Sequence, residues 1–246
     1  MPKFAADLDA LFGELPFLDR FAAAEEAGYG GVVFRSPYSY PVEQIAHRLC
    51  RHGLQLVQHG LPPGCGDADT AGIPAAGSNR AMLAGLDLAV RYARALGVHQ
   101  LSCALPPVPA DAWPLASAAA ILKQHRLDLL AMPQGCGGAY AQVAAMREGG
   151  MDNLYLQYWI EPRPSTVGGI DGAWGADRTT RFLADRLPLV RHIQLGGGCG
   201  QGYGPDPGCA SSWPLWLDML DRLGYQGWVG CCSLPASILT SEQELR

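Results

Sequence analysis

A chain of 246 residues, 48% hydrophobic and 17% charged, has the length of one (β/α)8 barrel or of two small domains, and enough apolar material for a sizeable core. Its formal net charge is −5, and Lys3 and Lys123 are its only lysines, so no basic run exists for nucleic acid to grip. No apolar run reaches the roughly 20 residues of a membrane span, and MPKFAADLDALFGELP lacks the basic start and apolar centre of a signal peptide, which together predict a cytoplasmic protein with no membrane partner.

In chain order, Lys3–Leu8 reads as a first strand. Pro16 opens a helical pattern (Phe17, Leu18, Phe21, Ala22, Ala24) that closes at Gly28; proline suits a first turn and glycine a C-terminal cap. Gly31–Phe34 is a second strand. Pro41 opens a second helix through Ile45, Leu49 and Cys50 to Gly53, and Leu54–His59 is the third strand. The stretch LPPGCGDADTAGIPAAGSN is too long for a plain connection, and such loops often carry function. Asn79 caps a helix with Leu83, Leu86, Val90, Ala93 and Leu96 on one face, closing at Gly97. Gln100–Leu105 is the fourth strand, Pro114 opens the fourth helix, and Leu127–Met132 is the fifth strand. Ala139–Arg147 is helical and Leu154–Ile160 is the sixth strand. A second long loop, Glu161–Gly175, leads to the helix Asp177–Leu187 and the strand Val190–Leu195. After GGGCGQGYGPDPG come the helix Trp213–Leu223, a turn at Gly224, and the last strand, Trp228–Cys232.

Eight strand–helix units in alternation predict one α/β domain over residues 1–246, a single (β/α)8 TIM barrel. The competing open, doubly wound sheet lacks support, since no GxGxxG follows the first strand. In a barrel the C-terminal strand ends and their loops form one mouth. That mouth would gather Asp7, Arg35, His59, Cys65, Cys103, Met132, Gln134, Trp159, Glu161, Gln194, Cys199, Tyr203, Asp206 and Cys232.

Several stretches invite a family comparison: KFAADLDALFGELPFLDRFAAAEEAGY, PYSYP at Pro37–Pro41, HGLQLV with LPPG at Leu61–Gly64, RYARALG, DNLYLQ at Asp152–Gln157, HIQL at His192–Leu195, and LGYQGWVGC. Over nearly its whole length the chain resembles the hydroxypyruvate isomerase family of xylose-isomerase-like barrels. The resemblance implies a divalent metal at the mouth and proton transfer between adjacent carbons by two glutamates. It also locates departures. The glutamate before proline at the end of strand five is replaced in Met132–Pro133, and the strand-six aspartate by Trp159. Pro162 stands in place of a histidine, Tyr203–Gly204 in place of a histidine–glutamate pair, and Cys232 in place of the strand-eight glutamate. Gln194 alone keeps its ligand position.

A thioether, an indole and a thiol are poor partners for magnesium, so the sequence predicts no metal ligand and no cofactor. The mouth is drier than the family's and suits a more apolar or aromatic substrate than a sugar acid. His59 is a candidate general base, Glu161 an acid or base, and Cys232 a nucleophile or proton-transfer group. Each also reads as structure: a satisfied core histidine, a solvated loop carboxylate, a small buried strand-end residue. Gln194 and Gln157 are candidates to position the substrate, Trp159 and Met132 to wall the pocket, and Tyr203 to act from a glycine-rich loop. His192 reads as structural. A soft metal site from Cys65, Cys136, Cys199, Cys209, Cys232 and His59 is a further, poorly spaced arrangement.

Two readings follow. One is a repurposed isomerase-like enzyme, metal-independent, acting by proton transfer or a related rearrangement on a small carbonyl compound, in a specialised biosynthetic pathway. The other is a catalytically silent barrel that binds a small molecule or serves as a scaffold. Barrels of this size often associate, so a homo-oligomer is compatible with either.

Overall fold

Short apolar runs punctuated by glycine and proline fold as the alternation requires. The computed structural model describes residues 2–62, 79–105, 113–133, 139–160, 176–196 and 213–232. Its strands are β1 (Lys3–Asp7), β2 (Gly31–Phe34), β3 (Gln55–Gly60), β4 (Gln100–Leu105), β5 (Asp128–Pro133), β6 (Leu154–Ile160), β7 (Val190–Leu195) and β8 (Trp228–Cys231). Its helices are α1 (Arg20–Glu26), α2 (Val42–Arg51), α3 (Asn79–Leu96), α4 (Trp113–Gln124), α5 (Ala139–Glu148), α6 (Ala176–Ala184) and α7 (Trp213–Arg222), with 3-10 turns at Phe17–Asp19 and Leu187–Leu189. The strands form a closed barrel in sequence order, β1 to β8, and β1–β2, β3–β4, β4–β5, β5–β6, β7–β8 and β8–β1 pair in parallel. This is the (β/α)8 TIM barrel that the alternation predicts. No described helix is long and apolar enough to cross a membrane.

Gly97 and Gly224 follow α3 and α7 with φ of 68° and 70°, the left-handed conformation that glycine adopts without a Cβ clash. The turn after Gly224 is held by Tyr225, whose hydroxyl donates to the Trp228 carbonyl at 2.9 Å. A buried amide does similar work between α4 and its neighbours. Asn153 donates to the carbonyls of Ala119 and Leu127 at 2.9 and 3.0 Å.

Contacts divide the chain into two units. One comprises Met1–Val33, His52–Gln55 and Tyr158–Arg246. Within it β7 pairs with β8, β8 with β1, and β1 with β2. Ala5 faces Gly31 and Gly230, and Gln194 faces Gly230. Alternation therefore sets Asp7, His192, Gln194, Trp228, Gly230 and Cys232 on one face. Side chains two strands apart meet only on the concave face of a curled sheet. Here a Cβ on Gly31 would lie 2.7 Å from the Trp228 ring, so this face is the barrel interior. The opposite face carries Phe4, Ala6, Val32, Ile193, Leu195, Val229 and Cys231, all buried and apolar, as a helix-covered surface requires.

The other unit comprises Phe34–Arg51 and Leu56–Gln157. In it β3 pairs with β4, β4 with β5 and β5 with β6. Gln58 on β3 donates to Gln157 on β6 at 2.9 Å, a contact three strands apart that also marks the interior. By register Gly60, Ser102, Ala104, Leu130 and Met132 share that interior face, whereas His59, Leu101, Cys103, Leu129 and Ala131 face the other way.

Candidate active site

Four polar side chains converge inside the first unit. β1 ends at Asp7, β7 supplies His192 and Gln194 two residues apart, and Cys232 follows the last residue of β8. Glycine at 230 makes the convergence possible: a Cβ there would overlap Gln194 Oε1 and lie 2.7 Å from His192 Nε2. Gln194 Nε2 donates to Asp7 Oδ2 at 2.9 Å and to Cys232 Sγ at 3.0 Å. Cys232 Sγ is 3.4 Å from the same carboxylate oxygen, and the Asp9 amide donates to Asp7 Oδ1 at 3.0 Å. Gln194 Oε1 lies 3.0 Å from His192 Nε2.

Donor and acceptor counting fixes the protons. A carboxylate only accepts, so the Gln194 amide nitrogen faces Asp7 and its oxygen faces His192. His192 must then carry its proton on Nε2 and donate it. Burial pushes the His192 imidazole down to about 4, with the Gln194 bond opposing, so the ring is neutral. The Cys232 sulfur accepts from Gln194 and donates its own hydrogen to Asp7. Burial, and then the Asp7 charge, hold the Cys232 thiol well above its ordinary range. In this geometry the Cys232 thiol is placed to donate to Asp7.

The second unit places His59 elsewhere than the mouth expected from the sequence. Although it nearly ends β3, His59 is fully buried and faces the helix-covered side. Its ring packs edge-on to Tyr38 with centroids 5.8 Å apart, and Tyr38 packs likewise against Tyr92 of α3 at 5.2 Å. Tyr38 Oη donates to the Gly60 carbonyl at 2.6 Å. The same carbonyl lies 3.0 Å from His59 Nδ1, and Tyr38 Oη lies 3.2 Å from it. A carbonyl accepts, so the proton sits on Nδ1; Nε2 has no partner among the described residues. Burial pushes His59 down to about 4, opposed by the Gly60 bond. Cys103 likewise faces the helices, and burial pushes its thiol up to about 12. Parity sets both orientations: one step along a strand moves a side chain to the other face.

Of the other expected site residues, Gln194 sits at the centre of the first cluster and Gln157 in the interior amide pair. Met132 and Trp159 close β5 and β6, half-buried. Cys65, Gln134, Cys136, Glu161, Pro162, Cys199, Tyr203, Gly204, Asp206 and Cys209 lie outside the described residues. The structure adds Asp7 and His192 to the hydrogen-bonded cluster around Gln194 and Gln58 to the pair with Gln157. The available signal was spacing: His192 and Gln194, two apart on a strand, must share a face.

The described donors do not fit the divalent cation that the resemblance implies. The four positions where the resemblance puts ligands hold Met132, Trp159, Gln194 and Cys232, and the Gln194 amide oxygen already accepts from His192. Hard cations want several oxygens. Among the described residues no group of three or more His, Cys, Asp or Glu side chains is arranged to hold a metal ion.

The chain has relatives of known name. It is 30% identical to the hydroxypyruvate isomerase of Escherichia coli, over 100% of this chain and 98% of that protein. It is 30% identical to the 2-oxo-tetronate isomerase of Haemophilus influenzae, over 94% of this chain and 93% of that protein. Among solved structures, the AP endonuclease, family 2 from Brucella melitensis matches with a TM-score of 0.75 and 27% identity, covering 100% of each chain. No protein-family model matches the chain.

Proposed function

The chain belongs to the hydroxypyruvate isomerase family, and from that membership we propose that it is an isomerase-type enzyme that transfers a proton between adjacent carbons of a small hydroxycarbonyl compound without a bound metal. The observation that carries this reading is the Asp7–Gln194–Cys232 triangle, with sides of 2.9, 3.0 and 3.4 Å, at strand ends where the resemblance puts a metal. Asp7 is the proposed base. It removes the proton from the hydroxyl-bearing carbon beside the carbonyl, the C–H electron pair becomes the C=C bond of an enediolate, and the carbonyl oxygen takes the charge. The Cys232 S–H turns from Asp7 to donate to that oxygen. Return of that proton from Asp7 to the former carbonyl carbon, with the hydroxyl proton of the neighbouring carbon passing to the former carbonyl oxygen as the new carbonyl forms, completes the shift. Gln194, oriented by His192, holds the carboxylate in place.

Glu161, next after β6, is proposed as a second acid–base group, and Tyr203 as a loop contact to the substrate. Met132 and Trp159 favour a substrate more apolar than a sugar acid, which fits a role in a specialised biosynthetic pathway. The helix-side position of His59 argues for a structural part under β3 rather than a base. The net charge of −5 favours a small-molecule partner over nucleic acid, and a cytoplasmic location is part of the proposal. Replacing Asp7 by Asn tests the assignment: solvent-hydrogen exchange at the substrate carbon should fall by about a hundredfold or more, and an unchanged rate would remove Asp7 from the mechanism.

A second reading has one observation in its favour. Every polar atom of the Gln194 amide is already bonded within the protein, as it would be in a silent barrel that only binds a ligand or partner. Absence of any exchange from the wild-type protein, across a panel of hydroxycarbonyl compounds, would favour that reading.

A further inference from the structure

The interior face of the second unit holds a polar feature that the proposed chemistry does not use. Gln58 and Gln157 are 4% and 3% exposed and share one hydrogen bond, Gln58 Nε2 to Gln157 Oε1 at 2.9 Å. Gln58 Oε1 is buried and has no partner among the described residues. Exchanging oxygen and nitrogen in both amides keeps the shared bond and leaves Gln58 Nε2 unpartnered instead, so among the described residues one polar atom of Gln58 lacks a partner either way. An unmet buried amide group is destabilising, and a ligand that pairs with it relieves that.

The surroundings say which ligand. Toward the strand ends this face carries Gly60, Ser102, Ala104, Leu130 and Met132, none of them charged. Gln157 lies one residue beyond the paired Ala131 and Leu156, level with the paired Ala104 and Met132. Those two are half-buried whereas Ser102 is 2% exposed, so the face opens beside the amide pair along an apolar edge. Gly60 cannot take a larger side chain, since a Cβ there would stand 2.6 Å from the Arg35 carbonyl oxygen.

We propose that Gln58 and Gln157 form a neutral amide subsite that takes the hydroxyl group of a small, uncharged, apolar-bodied molecule. A hydroxyl both donates and accepts, so it satisfies Gln58 in either amide orientation. A carboxylate would meet no cation among the described residues named on this face and would lose its hydration uncompensated there. The inference rests on reading the strand ends of this unit as part of a substrate site, and on that reading the subsite favours a neutral hydroxy compound over an anionic sugar acid.

Three probes of one size test it by ligand-observed NMR and calorimetry on the full chain: benzyl alcohol, toluene and benzoate. Wild type should bind benzyl alcohol about tenfold or more tighter than toluene, as one satisfied buried group implies, and benzoate most weakly. In Gln58→Leu the preference for benzyl alcohol over toluene should vanish. In a Gln58→Leu/Gln157→Leu double variant, which removes the whole pair, it should vanish while toluene still binds. Equal binding of benzyl alcohol and toluene by wild type, tighter binding of benzoate, no saturable binding of benzyl alcohol, or an undiminished preference in the variants would each overturn the proposal. Turnover is not read, so the Asp7→Asn result bears on the reaction alone and the two ideas fail separately.

Discussion

His59 makes the stability of this protein depend on pH in a way that can be worked out. Its folded pKa is pushed down to about 4 by burial, against about 6.5 for an unfolded chain. Above 6.5 neither state takes the proton and stability is full. Below 6.5 the unfolded chain binds a proton that the folded protein refuses, so stability falls as pH drops toward 4. Between pH 7 and pH 5 that difference amounts to about 2 kcal/mol, approaching about 3 kcal/mol below pH 4. His59→Phe keeps an aromatic ring against Tyr38 and has nothing to titrate. The Gly60 carbonyl keeps its bond from Tyr38, so the variant should stay within about 1.5 kcal/mol of wild type at pH 7. Urea denaturation followed by circular dichroism at both pH values reads the comparison. Wild type should lose about 2 kcal/mol more than the variant between pH 7 and 5. Equal losses would mean that His59 titrates normally in the folded state, and the helix-facing burial described here would be wrong.

Other outcomes follow from the same contacts. Gly230→Ala should destabilise by about 1–3 kcal/mol through overpacking, read by thermal unfolding, because its methyl group meets Gln194 and His192. Asn153→Leu removes the bonds to Ala119 and Leu127 and should cost about 1–3 kcal/mol in the same assay. In a thiol-labelling time course read by peptide mass spectrometry, exposed Cys50 should react well before buried Cys103, Cys231 and Cys232. Fast labelling of Cys232 would contradict its assignment as a buried thiol donor.

The barrel was legible because its signals are local. The glycines after α3 and α7 announce helix ends, and apolar runs such as Val190–Leu195 and Trp228–Cys231 announce strands. The site was legible only in part because its bonds are not local. Asp7 and Gln194 meet across 187 positions, and Gln58 and Gln157 across 99; no window of sequence contains either pair. His59 shows the other limit. Its place near the end of β3 was readable, but the face it takes follows from pairing with Leu101, and a one-residue difference in register inverts that face. His192 looked structural for the same reason: its use depends on which way Gln194 turns, and Asp7, at the far end of the chain, decides that.

The most direct test of the account is metal dependence of proton exchange. Chelator-treated protein, with metal content verified by elemental analysis, is incubated in deuterium oxide with a panel of neutral hydroxycarbonyl compounds and with hydroxypyruvate, and deuterium uptake at the carbon beside the carbonyl is followed by NMR. The metal-free protein should show uptake into at least one compound, lose that uptake in Asp7→Asn, and gain nothing from added magnesium or manganese. Exchange that appears only when metal is added would contradict the proposed metal-free reaction.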